Sequence, residues 1–146
     1  MSDFALVRPE PKLSRETALG EVRKILEFYE YDIDAQPEAF KGLAEAALEK
    51  ITSAFQDGSL ELSDDVAEFT IVQNLKKSPK VTGPISYGEF TAGTKQKLDK
   101  VPTGETYTRL NTLLAILAKT LPDVFKGMSA VDYTTAEALG FLFLSK

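Results

Sequence analysis

Apolar residues recur at helical spacing in four stretches of the chain, which are separated by turn-forming residues. The first stretch begins after Ser14, a good N-cap, and has Glu16 in its first turn, where a negative charge complements the helix dipole. Its apolar positions lie three or four residues apart, which predicts a helix with one buried face. These positions are Leu19, Val22, Ile25, Leu26 and Tyr29.

The second stretch predicts a helix that begins at Pro37, because a proline suits the first helical position, where its missing N–H is not needed. It should end at Asp57-Gly58, since glycine readily adopts the left-handed conformation that closes many helices. We expect the first two helices to form a hairpin over residues 1–58. The predicted buried stripe of the second helix consists of Phe40, Leu43, Ala47, Leu48, Ile51 and Phe55.

The middle region, residues 59–104, has a different pattern. Apolar and polar residues alternate at 60–62 and again at 69–71, with the turn formers Ser63-Asp64-Asp65 between them. This pattern predicts a small β-hairpin that reaches about Val72. The rest of the region is rich in glycine and proline, and we expect two further elements there, a strand at 85–87 and a short basic helix at 94–101.

The last region, residues 105–146, has helical spacing over 107–121, a single turn that ends at Gly127, and a final helix that begins at Ala130. Ser129 and Asp132 have the spacing of a capping box for that helix. The predicted fold class is therefore mainly α (α+β), a helical bundle-like single domain with a small β-hairpin at its edge. The core positions predicted to be buried are Leu48, Ile51, Leu114 and Leu117.

Composition narrows the range of functions. The chain has 146 residues and contains neither cysteine nor histidine. These absences exclude thiolate chemistry, cysteine-based metal sites and histidine as a general base, so we expect no catalytic, cofactor or metal site. Asp32-Asp34 and Asp64-Asp65 lack the spacing of a calcium loop, and we expect turn roles for them. A small enzyme would need a pocket lined by Asp, Glu or Lys.

Charge is distributed unevenly. Residues 1–68 contain 7 basic and 16 acidic residues, whereas residues 69–146 contain 10 and 6, and the formal net charge of the whole chain is −5. Two complementary faces within one fold or between subunits of a homo-oligomer would explain this asymmetry, and so would a surface that steers a charged partner. The net negative charge disfavours nucleic acid as a partner.

The N-terminal sequence and the lengths of the apolar runs predict the cellular setting of the protein. The N-terminus does not resemble a signal peptide, and the longest apolar runs are much shorter than the ~18–20 residues that a membrane span requires. We therefore expect a cytoplasmic protein that makes no contact with a membrane.

Consecutive large apolar residues at 141–144 cannot all face one core from a single helix. Either this segment is inserted between other helices, or part of it packs on another chain, as exposed apolar clusters often do. The candidate partner-binding residues are Leu113, Leu117, Leu121, Phe141, Leu142 and Phe143.

The order of features from about Phe69 onward resembles that of the tail assembly chaperones of tailed phages and prophages. The shared pattern is a short β-element, a turn-rich basic segment, a Leu-rich helix, a Leu-Pro step and an acidic residue that opens a terminal apolar helix. The matching residues are 85–90, 113–118, 120–122, Val124, Met128, Asp132-Tyr133 and Phe141-Leu142.

This resemblance implies a non-enzymatic binding protein that works in the host cell cytoplasm. Such proteins engage the tape-measure protein and help to recruit tail-tube subunits, and no catalytic residue is carried over from the family. Two alternatives remain at this point, a structural subunit of a tail or baseplate and a generic helical protein-interaction domain.

Overall fold

The structure is a computed structural model that describes residues 11–63, 69–76, 78, 81, 84–102 and 104–144. Within these ranges it has six α-helices and a three-stranded antiparallel sheet, which confirms the mainly α (α+β) fold class. In chain order the elements are α1 (Arg15–Phe28), α2 (Glu38–Asp57), β1 (Leu60–Leu62), β2 (Ile71–Gln73), β3 (Ile85–Tyr87), α3 (Ala92–Leu98), α4 (Thr106–Ala118), α5 (Asp123–Lys126) and α6 (Ala130–Leu144).

The ends of the first two helices follow local sequence signals. The Ser14 hydroxyl accepts a hydrogen bond from the Thr17 N–H at 3.1 Å, which confirms the predicted N-cap of α1. Helix α2 begins one residue later than predicted, because Pro37 is its N-cap. Gly58 closes α2 with a φ of 83°, the left-handed conformation that glycine permits without strain.

The buried face of α2 is not the one predicted. Phe40 and Leu43 are 52% and 65% exposed, so their assignment to the core was wrong. The buried face instead passes through Ala44, Ala47 and Ile51, because these positions face α1 and α6, and two alanines allow close packing there. Of the four predicted core positions, Ile51, Leu114 and Leu117 are buried, whereas Leu48 is only half-buried.

The sheet has the strand order β1-β2-β3. Glu61 is paired with Val72, and Val72 with Ser86, so the predicted hairpin is present and β3 extends it. Strand β2 begins at Ile71, two residues later than predicted. The expected turn residues Asp64 and Asp65 lie outside the described residues.

Helix α3 begins earlier than predicted because Thr91 caps it through the N–H of Thr94 at 3.3 Å. Its C-terminal end is held by Arg109, which donates hydrogen bonds to the carbonyl oxygens of Leu98 at 3.1 Å and Val101 at 2.8 Å. The guanidinium thus supplies donors to the last carbonyl of α3 and to a carbonyl of the turn that follows it.

Helix α4 ends at Ala118, three residues before the predicted end. Lys119 has a φ of 54°, and the N–H of Thr120 donates to the Ala115 carbonyl at 2.9 Å. This is a Schellman-type end that is built on a lysine instead of a glycine. Because the left-handed conformation is unfavourable for a residue with a Cβ atom, the chain holds local strain at this turn.

Helix α6 packs against both α2 and α4. Gly140 of α6 lies close to α4, because a Cβ atom added to it would overlap the Cδ1 atom of Leu110. Further along α6, the Phe143 ring contacts Tyr29 edge-on at a centroid distance of 5.2 Å and stacks on Phe90 at 5.9 Å. The C-terminal half of α6 is therefore enclosed by residues from several elements.

We expect Gly140→Ala to destabilise the fold. The added methyl group must displace Leu110 in a packed core, at a cost of about 1–3 kcal/mol, which exceeds the ~1 kcal/mol gained in helix propensity. Gly42→Ala is the matched control, because no heavy atom lies within 4 Å of its added Cβ atom. It should stabilise the protein by about 0.5–1 kcal/mol. Chemical denaturation measures both changes, and stabilisation by both would contradict the close crossing of α4 and α6.

Candidate functional site

The structure separates the six candidate partner-binding residues. Four of them, Leu113, Leu117, Leu142 and Phe143, are buried, with at most 3% of their surface exposed. Phe141 is half-buried, and Leu121 is 71% exposed.

The assignment of these residues to a docking surface therefore needs correction, because the four buried side chains belong to the intramolecular core. The physical reason is that α6 lies between α2 and α4, so side chains on opposite sides of it are covered at once. The insertion that the sequence allowed as an alternative accounts for the apolar run at 141–144. Of the six candidates, Leu121 alone remains mostly exposed.

We expect Leu142→Asp to lower the free energy of unfolding by more than about 4 kcal/mol, because it buries an unpaired carboxylate. Leu121→Asp should change it by less than about 0.5 kcal/mol, because residue 121 is already in water. Thermal melting of the two variants gives the comparison. A native-like melting temperature for Leu142→Asp would show that residue 142 is not in the core.

A buried polar network surrounds the start of α6. The carboxylate of Asp132, a residue only 3% exposed, accepts hydrogen bonds from the Lys76 N–H at 2.8 Å and the Ser78 hydroxyl at 2.6 Å. The Asp132 N–H donates to the Ser129 Oγ at 3.4 Å, as in a capping box. In a standard capping box the Asp132 side chain would also accept from the Ser129 N–H. Here Ser78 lies between them, because its Oγ accepts from the Ser129 N–H at 3.0 Å and donates to the Asp132 carboxylate.

The same network continues into the sheet. Gln73, which is completely buried, donates from Nε2 to the carbonyl oxygen of Asp132 at 2.8 Å and accepts from the Tyr87 hydroxyl at 2.6 Å. Burial raises the pKa of Tyr87, so the phenol keeps its proton and remains a donor. Every buried side-chain nitrogen and oxygen in the described residues has a partner, which is the pattern of a structural network that joins sheet and helix.

An ion pair adjoins this network at the end of α2. Lys76 Nζ lies 2.7 Å from Asp57 Oδ2, and the Ser59 N–H donates to Asp57 Oδ1 at 2.9 Å. Partial burial acts to raise the pKa of Asp57, but the hydrogen bonds from Lys76 and Ser59 outweigh it and leave the pKa below its usual value. The ionised form of Asp57 is therefore favoured by folding.

This lowered pKa predicts how stability depends on pH. Because the pKa of Asp57 is lower in the folded state than in the unfolded state, where it is about 4, the pair stabilises the protein above about pH 4. The stabilisation is lost as the pH falls through the lower, folded value. Lys76→Met should therefore cost less than about 1 kcal/mol at pH 7, with the difference from the parent protein shrinking below about pH 4.

The matched control for this prediction is Lys95→Met, because Lys95 is exposed and takes part in no ion pair within the described residues. Chemical denaturation at a series of pH values measures the effect. A difference between Lys76→Met and the parent protein that stays constant down to pH 2 would contradict the role of Asp57.

Two surface features are candidates for binding. The first, which we call the α2 apolar face, is a set of exposed apolar residues near the start of α2, at positions i, i+1, i+4 and i+7. These residues are Ala39, Phe40, Leu43 and Ala46. The acidic residues Glu38, Glu45 and Glu49 of the same helix are also exposed. Sequence periodicity marked two residues of this face, Phe40 and Leu43, but assigned both to the core.

The second feature, the β3 groove, is a cleft of about 770 Å³ between the start of β3 and the turn that joins α4 to α5. The Lys126 Nζ lies 3.6 Å from Asp123 Oδ1 at the groove's α5 side, and both side chains are largely open to water. The groove is lined by Val81, Pro84, Ile85, Ser86, Ala118, Lys119, Thr120, Asp123, Val124 and Gly127. No sequence pattern marked this groove, because it depends on how β3 meets the end of α4.

Within the described residues, no three acidic side chains lie close enough together to hold a metal ion. None of the helices described is both long and apolar enough to cross a membrane. Comparison of the chain with protein-family models, with curated proteins and with solved structures found no match in any of the three.

Proposed function

We propose that this protein is a non-enzymatic binding protein of the phage tail assembly chaperone kind, which holds a helical, apolar segment of a tape-measure-like protein. It would also help to bring tail-tube subunits to that partner. The observation that carries this proposal is the α2 apolar face, a helix surface on which large apolar side chains point into water.

The spacing of this face supports a helical partner. Ala39, Leu43 and Ala46 follow the i, i+4, i+7 pattern by which one helix packs on another, and Phe40 widens the contact. The small alanines allow the partner's backbone to come close, and Leu43 at 65% exposure and Phe40 at 52% provide apolar area. A surface of this kind can cover an apolar helix that would otherwise aggregate.

The charges around the face support a partner with basic residues beside its apolar stripe. Glu38 and Glu45 are exposed on α2, and Glu49 forms an ion pair with Arg15 at 2.7 Å. Opposite charges at the rim of an interface increase the rate of association more than its final affinity. The excess of acidic residues in the N-terminal half would also help to keep a complex soluble.

The test is co-expression with the tape-measure-type protein that this proposal expects to be encoded near the gene for this chain. We expect the two proteins to co-purify, and the double variant Phe40→Ser/Leu43→Ser to lose the partner while its melting temperature stays within a few degrees. The matched control is Tyr107→Ser, which removes a side chain 61% exposed on α4 and should retain the partner.

Three results would overturn the proposal. The first is a gene neighbourhood without tail genes, and the second is equal recovery of the partner by the double variant and the parent protein. The third is the presence of this protein in purified, finished particles, which would instead indicate a structural tail or baseplate subunit.

A further inference from the structure

Strand β3 lies at an edge of the sheet, and its free side faces the β3 groove. The direction of the backbone groups of β3 can be worked out from the pairing of β1 with β2. Just beyond the ends of these two strands, the Ser63 N–H donates to the Thr70 carbonyl at 2.9 Å, and the Asn74 N–H donates to the Ser59 carbonyl at 2.8 Å. Hydrogen-bonded pairs alternate along an antiparallel ladder, so Glu61 and Val72 form the hydrogen-bonded pair between them.

The backbone groups of Val72 therefore point to β1, and those of its neighbours Ile71 and Gln73 point to β3. Their partners on β3 are Tyr87 and Ile85, which leaves the N–H and carbonyl of Ser86 directed away from the sheet. Neither group has a hydrogen-bond partner among the described residues. The side chain of Ser86 is exposed, whereas those of Ile85 and Tyr87 are buried.

The neighbouring positions limit the open edge to this one residue. The Gly88 N–H, which points the same way as that of Ser86, already donates to the Leu117 carbonyl at 2.8 Å and so closes the groove at one end. Pro84 has no N–H to offer at the other end. An incoming chain can therefore form a pair of main-chain hydrogen bonds with Ser86, between walls that supply apolar contact from Ile85, Ala118 and Val124.

The wall of the groove opposite β3 limits which kind of chain can bind there. Because residues at the end of α4 and in helix α5 line the groove opposite β3, the edge of a second complete sheet would meet these elements. A single extended chain is the narrower occupant. Its volume of about 770 Å³ is within the ~300–1,000 Å³ range of ligand pockets in proteins.

The charges of the groove favour an acidic side chain on the occupant. Of the two charged residues among those that line the groove, Asp123 is paired with Lys126, whereas Lys119 takes part in no ion pair within the described residues. The backbone of Lys119 is left-handed and closes α4, so the point at the rim of the groove from which the lysine side chain extends is fixed.

We propose that the β3 groove binds a short extended segment of another protein, which adds to the sheet as a fourth strand opposite Ser86 and places a carboxylate beside Lys119. This is recognition by strand addition, in which main-chain hydrogen bonds supply affinity and flanking side chains supply specificity. It rests on the sheet edge and does not depend on the α2 apolar face.

The test is selection of peptides from a displayed library of random octapeptides on the full chain, with the Ser86→Pro variant as the counter-target. Proline at 86 removes only the outward N–H and leaves the β2–β3 ladder intact, as is tolerated on edge strands. Selected peptides are then synthesised with a fluorescein label, and their affinities are measured by fluorescence anisotropy. Ser86→Thr, which retains the N–H, is the matched control.

We expect the selected peptides to be rich in β-forming residues and to contain Asp or Glu. They should bind Ser86→Pro about tenfold more weakly than the parent protein, the loss expected for one hydrogen bond, and bind Ser86→Thr with unchanged affinity. Lys119→Glu should weaken the acidic peptides at least as much. If Ser86→Pro does not retain the native melting transition, Val124→Phe replaces it, because this uncharged change fills the groove from the opposite wall.

Failure to enrich any peptide on the parent protein over the counter-target would overturn the proposal. Equal affinities for the parent protein and the groove variants would do so too, as would selected peptides whose binding requires Phe40 or Leu43, since they would be using the α2 apolar face.

Discussion

The organisation of this protein follows from one constraint, the need to cover a helix that is apolar on nearly every side. Between its start at Ala130 and its end at Leu144, α6 has buried residues on faces that point in opposite directions. One neighbouring helix could not shield it, so α2 and α4 enclose it from two sides. The position of α1 follows in turn, because it packs on α2, and Tyr29, the residue that follows α1, contacts Phe143.

Burial of α6 creates a second requirement at its N-terminus, where backbone N–H groups lack partners within the helix. The Ser129 Oγ meets part of it by accepting a hydrogen bond from the Asp132 N–H. The Asp132 carboxylate in turn accepts from Lys76 and Ser78, and the Asp132 carbonyl accepts from the amide of Gln73. Because Gln73 is itself held by Tyr87, a polar network links β2, β3 and α6. A buried network with all its partners present favours one arrangement of these elements, since any alternative would leave polar groups unpaired.

Sequence periodicity predicted the four long helices and the strands, because each depends on local spacing and on capping residues such as Ser14 and Gly58. Periodicity failed where the burial of a side chain depends on how far a neighbouring element extends. Phe40 and Leu43 have the same spacing as the true core residues of α2, yet the surface beside them is not covered. The apolar run of α6 has no polar side to fix its orientation, so core and docking surface could not be distinguished for residues 141–144. The open edge at Ser86 could not be predicted from the sequence, because it depends on the order of the strands and on which of their residue pairs are hydrogen-bonded.

The enclosure of α6 also affects how the protein is made in the cell. Helices α1 and α2 leave the ribosome long before α6 is synthesised, and until then the part of α2 that packs on α6 is uncovered. During this interval the nascent chain carries the acidic excess of residues 1–68, a net charge of 7 − 16 = −9. Mutual repulsion between such chains opposes their association through the uncovered apolar residues. The acidic half of the sequence would thus protect this protein from aggregation during its own synthesis.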